Sequence, residues 1–320
     1  MSYMPRWRSL IAALVAASTL AACGGGGSDK TASTPVAVTP PASTVMPDAT
    51  AAAPVDTGNI ALDGRNWINY RRTQLGVPLV TENVQINNAA LGHSEYLRTN
   101  NLMSHDQKAG NPGFTGTTLK DRLNAAGYTI PANGYAYGEV ISGAVSKSGS
   151  YLTEELITAI YHRFVIFEPK FREVGTGAAT SSRGYTYFTA DFATRGGFGP
   201  GIASNAVVVW PYSGQTGVVP NFLSDSEEPD PVPNINEVGY PISVHANIDA
   251  PLMMQTFTVR PRGGSNLQVQ LVNASLDPGK NTAVSIVPLA PLRAATTYDV
   301  SFSGTVNGVP VTRDWSFTTK

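Results

Sequence analysis

Cysteine is almost absent from this 320-residue chain, which has a single one, Cys23. One thiol excludes a disulfide framework and any zinc cluster built on cysteines, so the fold has to be held by packing. Charge is scarce as well: charged residues make up 14%, against roughly 25% in an average globular domain. Surface polarity must then come largely from Ser, Thr, Asn and Gly, which suits an exported protein. Lys plus Arg number 22 and Asp plus Glu 23, for a net charge of -1. Without a basic field to attract phosphates, nucleic acid is a poor partner. Several catalytic signatures are also missing, namely the Gly-x-Ser-x-Gly elbow, the Walker A loop and the His-Glu-x-x-His helix. His93-Ser94-Glu95 has the His-x-Glu element of zinc deaminases, but the Cys pair that would complete such a site is absent.

The N-terminus is more informative. Arg6 and Arg8 precede an apolar run from Leu10 to Ala22, the charged and apolar regions of a secretory signal, too short for a mature membrane span. Leu20-Ala21-Ala22-Cys23 resembles the bacterial lipobox, in which cleavage makes the Cys the new N-terminus and acyl chains are attached to it. Residues 1–22 are therefore expected to be a lipoprotein signal and Cys23 the lipidation site, tethering the chain to the cell envelope. Residues 23–58, rich in Gly, Ser, Thr, Pro and Ala, cannot bury enough apolar surface to order themselves and are expected to be a disordered tether.

Folded structure is predicted from about Ala61. Trp67, Ile68, Arg71 and Leu75 recur at helical spacing up to Gly76-Val77-Pro78. A second helix is predicted from Glu82 to about Asn100 and a short one from Thr118 to Ala126, followed by a strand from Tyr137 to Ser142. Thr153 to Phe167 reads as one long helix, with Thr153 as N-cap and Glu154 and Glu155 in its first turn. Strands follow at Val174 to Ala178 and at Tyr185 to Phe192, the latter alternating like a half-buried edge. Residues 196–235 have the Gly- and Pro-rich composition of a linker, with Val207 to Pro211 as a short strand-like anchor. Beyond about Asn236 only short strands and turn signals remain, which suits a β-sandwich. The fold class is therefore α+β: a mixed α-β-α sandwich followed by a small all-β sandwich.

The chemistry has to be sought in four histidines, His93, His105, His162 and His245. His245 lies on a predicted strand of the second module, where a lone His is most often a surface or cross-strand residue. The other three lie in the first module among apolar or small neighbours. There an imidazole or carboxylate is stable only with a partner, a metal or a shared cavity.

The order of short motifs carries a resemblance. Ala89-Ala90 with His93-Ser94-Glu95-Tyr96-Leu97, then Ser104-His105, Asp121-Arg122-Leu123 with Gly127-Tyr128, Gly138-Glu139, Tyr161-His162-Arg163 and Phe171-Arg172-Glu173-Val174-Gly175-Thr176-Gly177 resemble the CAP superfamily. Its relatives are the cysteine-rich secretory proteins, antigen 5, pathogenesis-related 1 proteins and bacterial SCP-like extracellular proteins. The resemblance covers about residues 59–195 and implies an α-β-α sandwich with a central cavity lined, in many members, by two His and two acidic residues. Position by position it implies His105, Glu139 and His162 as cavity residues. Val140 stands where many members have Asn. Glu155, seven residues before His162 on a predicted helix, is the candidate fourth member. Residues 236–320 resemble a bacterial Ig-like module in Thr297-Tyr298-Asp299-Val300 and Trp315-Ser316-Phe317-Thr318-Thr319, which implies a spacer or adhesive role.

With ligands limited to His and carboxylate, His105, Glu139 and His162 form the expected metal constellation for zinc or another divalent cation. Two functions from different classes follow. One is non-catalytic binding of a small apolar ligand or an envelope protein. The other is metal-dependent hydrolysis of a peptide or ester, with Glu139 as ligand or general base.

Overall fold

The computed structural model describes residue 48, residues 50–274 and residues 281–320. The signal-like run, Cys23, most of the expected tether and the turn signal of the sequence at Asp277-Pro278-Gly279 lie outside the described residues. Among those described, no helix is long and apolar enough to cross a membrane.

The first module opens with α1 (Ile60–Leu75), whose N-terminus is capped by the Asn59 side chain and whose end is turned by Gly76 in the left-handed region. β1 (Thr81–Glu82) comes next, and α2 (Val84–Asn100) starts two residues later than its apolar pattern predicts. Asn83 sets that start, because its side chain accepts from the N–H groups of Gln85 and Ile86. α3 (Leu119–Ala125) carries a complete capping box between Thr118 and Asp121. β2 (Ala136–Ala144) then leads to the predicted long helix, which is in fact two: α4 (Gly149–Thr158) and α5 (Ile160–Ile166), broken at Ala159 in extended conformation. Ser148, not Thr153, is the N-cap, and Thr153 is fully buried in the middle of α4. β3 (Glu173–Thr180) and β4 (Thr186–Thr194) complete the sheet, whose order is β1-β3-β4-β2. β4 is thus a central strand buried along its whole length, not a half-buried edge.

Period-two alternation distributes the two faces of this sheet. Ala136 and Val140 of β2 join the core formed with Ile68, Leu75, Leu152 and Leu156 of α1 and α4. Tyr137 and Ala193 face Ile86, Ala89, Leu119 and Leu123 of α2 and α3. The result is the expected α-β-α sandwich. Gly175 and Gly177 let α2 lie directly on β3, because a Cβ at either would collide with the backbone of Ile86 or Leu91. The Gly175-Thr176-Gly177 motif is therefore explained by helix-to-sheet packing.

The second module contains β5 (Val208–Trp210), β6 (Asn221–Leu223), β7 (Glu237–Gly239), β8 (Ile242–His245), β9 (Leu252–Pro261), β10 (Val269–Ala274), β11 (Ala283–Pro288), β12 (Thr297–Val306) and β13 (Val309–Thr318). Its main sheets have the orders β10-β11-β8-β5 and β13-β12-β9, and β6 pairs with β7. Asn307 and Gly308, both at positive φ, form the two-residue turn of the last hairpin.

Residues 196–235, which have linker composition, are packed over much of their length. β5 extends the four-stranded sheet, and Trp210 is fully buried against Phe167 of the first module, with ring centroids 4.9 Å apart. Arg163 of α5, also fully buried, donates to the Pro241 carbonyl at 2.7 Å and the Ser243 hydroxyl at 3.2 Å. His245, expected at a surface or cross-strand position, is 1% exposed and sits edge-on to Phe164 and Phe167. Burial and then the neighbouring Arg163 push its pKa down to about 3, so it is a neutral core residue.

A buried carboxyl also stands at this junction. Glu168 accepts from the N–H groups of Lys170 and Ile248, but burial outweighs those bonds and pushes its pKa up to about 8. The folded state therefore holds this proton more tightly than the unfolded chain, where ionisation occurs near 4.5. Stability should be greatest below that value and fall as pH rises towards 8. Glu168→Gln should remove this dependence and be more stable than the parent at pH 9 by about 1–3 kcal/mol. Melting curves at pH 6 and pH 9 measure it, and a stability difference that stays constant between the two would contradict the assignment.

Candidate functional site

β2 places Glu139 on the α2 and α3 side of the sheet, where it meets a set of buried polar groups. His105, on the loop after α2, uses Nδ1 to bond Glu139 Oε1 at 2.8 Å. Arg122 of α3 donates to Glu139 Oε2 at 2.6 Å and to the His105 carbonyl at 2.8 Å. Both Arg122 and Glu139 are buried. His93 of α2 approaches Glu139 Oε1 at 3.9 Å, too far for a hydrogen bond. Its Nε2 instead bonds the Ser104 carbonyl at 2.9 Å and its Nδ1 the Gln107 amide at 2.9 Å. A carbonyl on one nitrogen and an amide N–H on the other require the neutral ring with its proton on Nε2. Burial holds the His93 pKa down near 4, against the opposing pull of Glu139, which agrees with that tautomer.

Asp191 completes the cluster. It is the β4 residue paired with Glu139 in the β2–β4 ladder, is fully buried, and has no hydrogen-bond donor on either oxygen among the described residues. Two carboxylates directly opposed in a ladder repel each other, and among the described residues only one guanidinium, that of Arg122, acts on both. Burial, then the charge of Glu139, raises the Asp191 pKa well above the usual carboxylate range, so Asp191 is the member that keeps a proton. Burial also pushes Glu139 up, but Arg122 and the histidines outweigh it and hold this carboxylate well below its ordinary value. His105 and Glu139 open on a small cleft of about 110 Å³ beside Thr118, Lys120 and Tyr137.

His162 does not join this cluster. Its Nδ1 lies 3.2 Å from Glu227 Oε1, and Glu227 also accepts from the backbone N–H groups of Ile160 at 2.8 Å, Tyr161 at 2.6 Å and His162 at 3.3 Å. Glu227, from the acidic stretch after β6, thus caps the start of α5 from outside the first module. Glu155 and His162 line a second, larger cleft of about 650 Å³. Partial desolvation there, then the charge of Glu154, raises the pKa of Glu155. Glu154 is not a free helix-start charge either: it accepts from Arg71 and from Trp67 Nε1. Of the four residues expected to share a cavity, the fold brings together His105 with Glu139 and, separately, His162 with Glu155.

The expected zinc site does not fit this donor set. Both Glu139 oxygens and both His93 nitrogens are engaged, and His162 bonds elsewhere. Among the described residues, no three His, Cys, Asp or Glu side chains are placed to hold a metal ion. Arg122 instead supplies the positive charge that the carboxylates require.

Residues 66–192 match the cysteine-rich secretory protein family, CAP. This part of the chain is a CAP domain. No curated protein matches the chain. Among solved structures, it is similar to an extracellular protein containing an SCP domain from Bacillus anthracis, at 23% identity and a TM-score of 0.34, with 44% of each chain covered. It is also similar to an outer surface protein from Borrelia burgdorferi, at 13% identity and a TM-score of 0.37, covering 44% of this chain and 96% of that one. The chain therefore spans 44% of the Bacillus protein's length. Three participants in these contacts carry little signal in the sequence. Arg122 was legible only as a motif letter and Asp191 only as a polar residue on an apolar strand. Glu227 lies outside residues 66–192 in a stretch of linker composition and carries no local signal.

Proposed function

We propose that this chain is an extracytoplasmic, envelope-tethered protein whose CAP domain binds a ligand without chemically transforming it. The observation that supports this most directly is the way Glu139 is held. With one oxygen on Arg122 and the other on His105, and with Arg122 and the histidines holding its pKa well below the ordinary value, this carboxylate is a poor base towards water. His93 is locked as a neutral ring between two partners. The cluster then has the character of a structural polar network within the α2 and α3 layer. Purified full chain should hydrolyse neither p-nitrophenyl acetate nor casein above background, with or without added zinc. Turnover that disappears on Glu139→Gln would overturn the reading.

The tether rests on Cys23, its lipobox-like context and the Gly-, Ser- and Pro-rich residues after it. Two or three acyl chains anchor a protein far more firmly than one. Cys23→Ser is expected to move the protein from the membrane fraction to the soluble fraction, or to stop its processing. Failure of the parent chain to incorporate labelled palmitate would rule the anchor out.

A further inference from the structure

A separate cleft of about 560 Å³ lies where the β3–β4 turn meets the end of α2. Its walls are held by short-range bonds. In the turn, Gly184 at positive φ donates to the Ser181 carbonyl at 2.9 Å, and the Tyr185 N–H donates to Ser181 Oγ at 3.1 Å. At the helix end, Asn101 adopts the left-handed region and accepts from Tyr187 Oη at 3.3 Å, which ties α2 to β4. The volume falls in the range of small-molecule sites, which are usually preformed.

We propose that this cleft binds a monocarboxylate carried on an aromatic body; the proposal rests on the binding reading above and names the class of ligand. Arg183 is the only charged side chain that lines the cleft. It is exposed on the turn and makes no hydrogen bond or ion pair among the described residues, so its donors are available. One guanidinium compensates one negative charge, and its planar fork matches a carboxylate. A phosphate monoester would keep part of its second charge uncompensated, and a cation would be repelled. Further donors stand on the same walls. Ser181 Oγ uses a lone pair for the Tyr185 N–H and keeps its O–H, and Asn101, with Oδ1 on Tyr187, keeps its amide N–H groups. Desolvation raises the pKa of both Tyr185 and Tyr187, so neither adds negative charge at neutral pH. The other walls select the body of the ligand. Leu102, Met103 and Val145 are apolar, and Val145 is 79% exposed. The rings of Tyr185 and Tyr187 stand edge to face, 5.0 Å apart, and Met103 offers a thioether. Phenol rings and sulfur gain more from an aromatic partner than from a saturated one.

The test is calorimetric titration of the full chain at pH 7.5 with 4-phenylbutyrate and four relatives: 4-phenylbutanol, 4-phenylbutylamine, 4-phenylbutyl phosphate and 4-cyclohexylbutyrate. Phenylbutyrate should bind at least about tenfold more tightly than the alcohol or the amine, and about threefold more tightly than the phosphate or the cyclohexyl acid. Arg183→Gln, on the exposed turn, should weaken phenylbutyrate at least about fivefold, leave the alcohol unchanged and leave the melting temperature intact. Tyr185→Leu should weaken the acid and the alcohol alike and erase the preference for phenyl over cyclohexyl. An acid that binds no better than the alcohol, or is indifferent to Arg183→Gln, would overturn the assignment while leaving non-catalytic binding in place. A phosphate or cyclohexyl acid that binds as well as phenylbutyrate, or absence of binding by all five, would also overturn it. The hydrolysis assays above judge the binding reading separately.

Discussion

Arg122→Met should cost the protein about 3–5 kcal/mol of stability, because it removes the guanidinium that neutralises a buried pair of carboxyl groups. In the parent, Arg122 donates to Glu139 at 2.6 Å while Asp191 lies directly across the ladder. One proton and one guanidinium between them keep a single negative charge compensated. Without Arg122, Glu139 must either stay ionised with only His105 bonded to it or take up a proton, and either choice favours unfolding near neutral pH. The sign of the pH dependence contributed by Glu139 should change with it. The depressed pKa of Glu139 in the parent contributes stability that is present above about 4.5, the ordinary Glu value, and is lost as pH falls. In Arg122→Met that contribution is gone, burial dominates, and stability should fall as pH rises instead. Adding Glu139→Gln to Arg122→Met should recover at least about 2 kcal/mol, since the amide carries no charge to bury. Urea denaturation of the four proteins in this cycle measures both effects. A loss below about 1 kcal/mol for Arg122→Met would mean that the carboxylates are not held by it.

What could be read in the sequence followed the range of the interactions involved. Helical spacing located α1 and α2, and the short helix expected over Thr118 to Ala126 and the strand expected over Tyr137 to Ser142 fall on α3 and β2, because the signals for each lie within a few residues of it. The break at Ala159 could not be read in this way. α4 and α5 share one apolar pattern, and the carboxylate that caps the second of them comes from Glu227, 67 positions after Ile160. The same distance problem divided the expected site. His105 and Glu139 were legible as partners through the motif order, but nothing near His162 indicated that its ring would be taken by a residue outside the CAP domain. β4 illustrates a third cause. Alternation alone resembles a half-buried edge, and only the pairing with β2 and β3 on both sides makes it central.

Removing Trp210 should uncouple the second module from the CAP domain, although residues 196–235 have the composition of a linker. Gly, Pro and acidic residues there look like a linker, which predicts that limited proteolysis would cut the segment and release two cores. Trp210 argues the opposite. It is fully buried, its Nε1 donates to Tyr240 Oη at 2.8 Å, and its ring lies 4.9 Å from Phe167 and 5.4 Å from the Arg71 guanidinium. One hydrophobic cluster runs from Ile68 and Phe167 through Trp210 to Ile242 and Val244, so the two modules share a core at this point. Truncating a buried Trp costs about 3–5 kcal/mol through lost transfer energy and the cavity left behind. Trp210→Ala also leaves the buried Tyr240 hydroxyl without its donor, which adds to that cost. The parent should therefore resist protease throughout 196–235 and unfold in one transition, whereas Trp210→Ala should be cut there and melt in two steps. Equal cleavage of parent and variant would mean that the modules are joined by a true linker and that the shared core contributes little to holding them together.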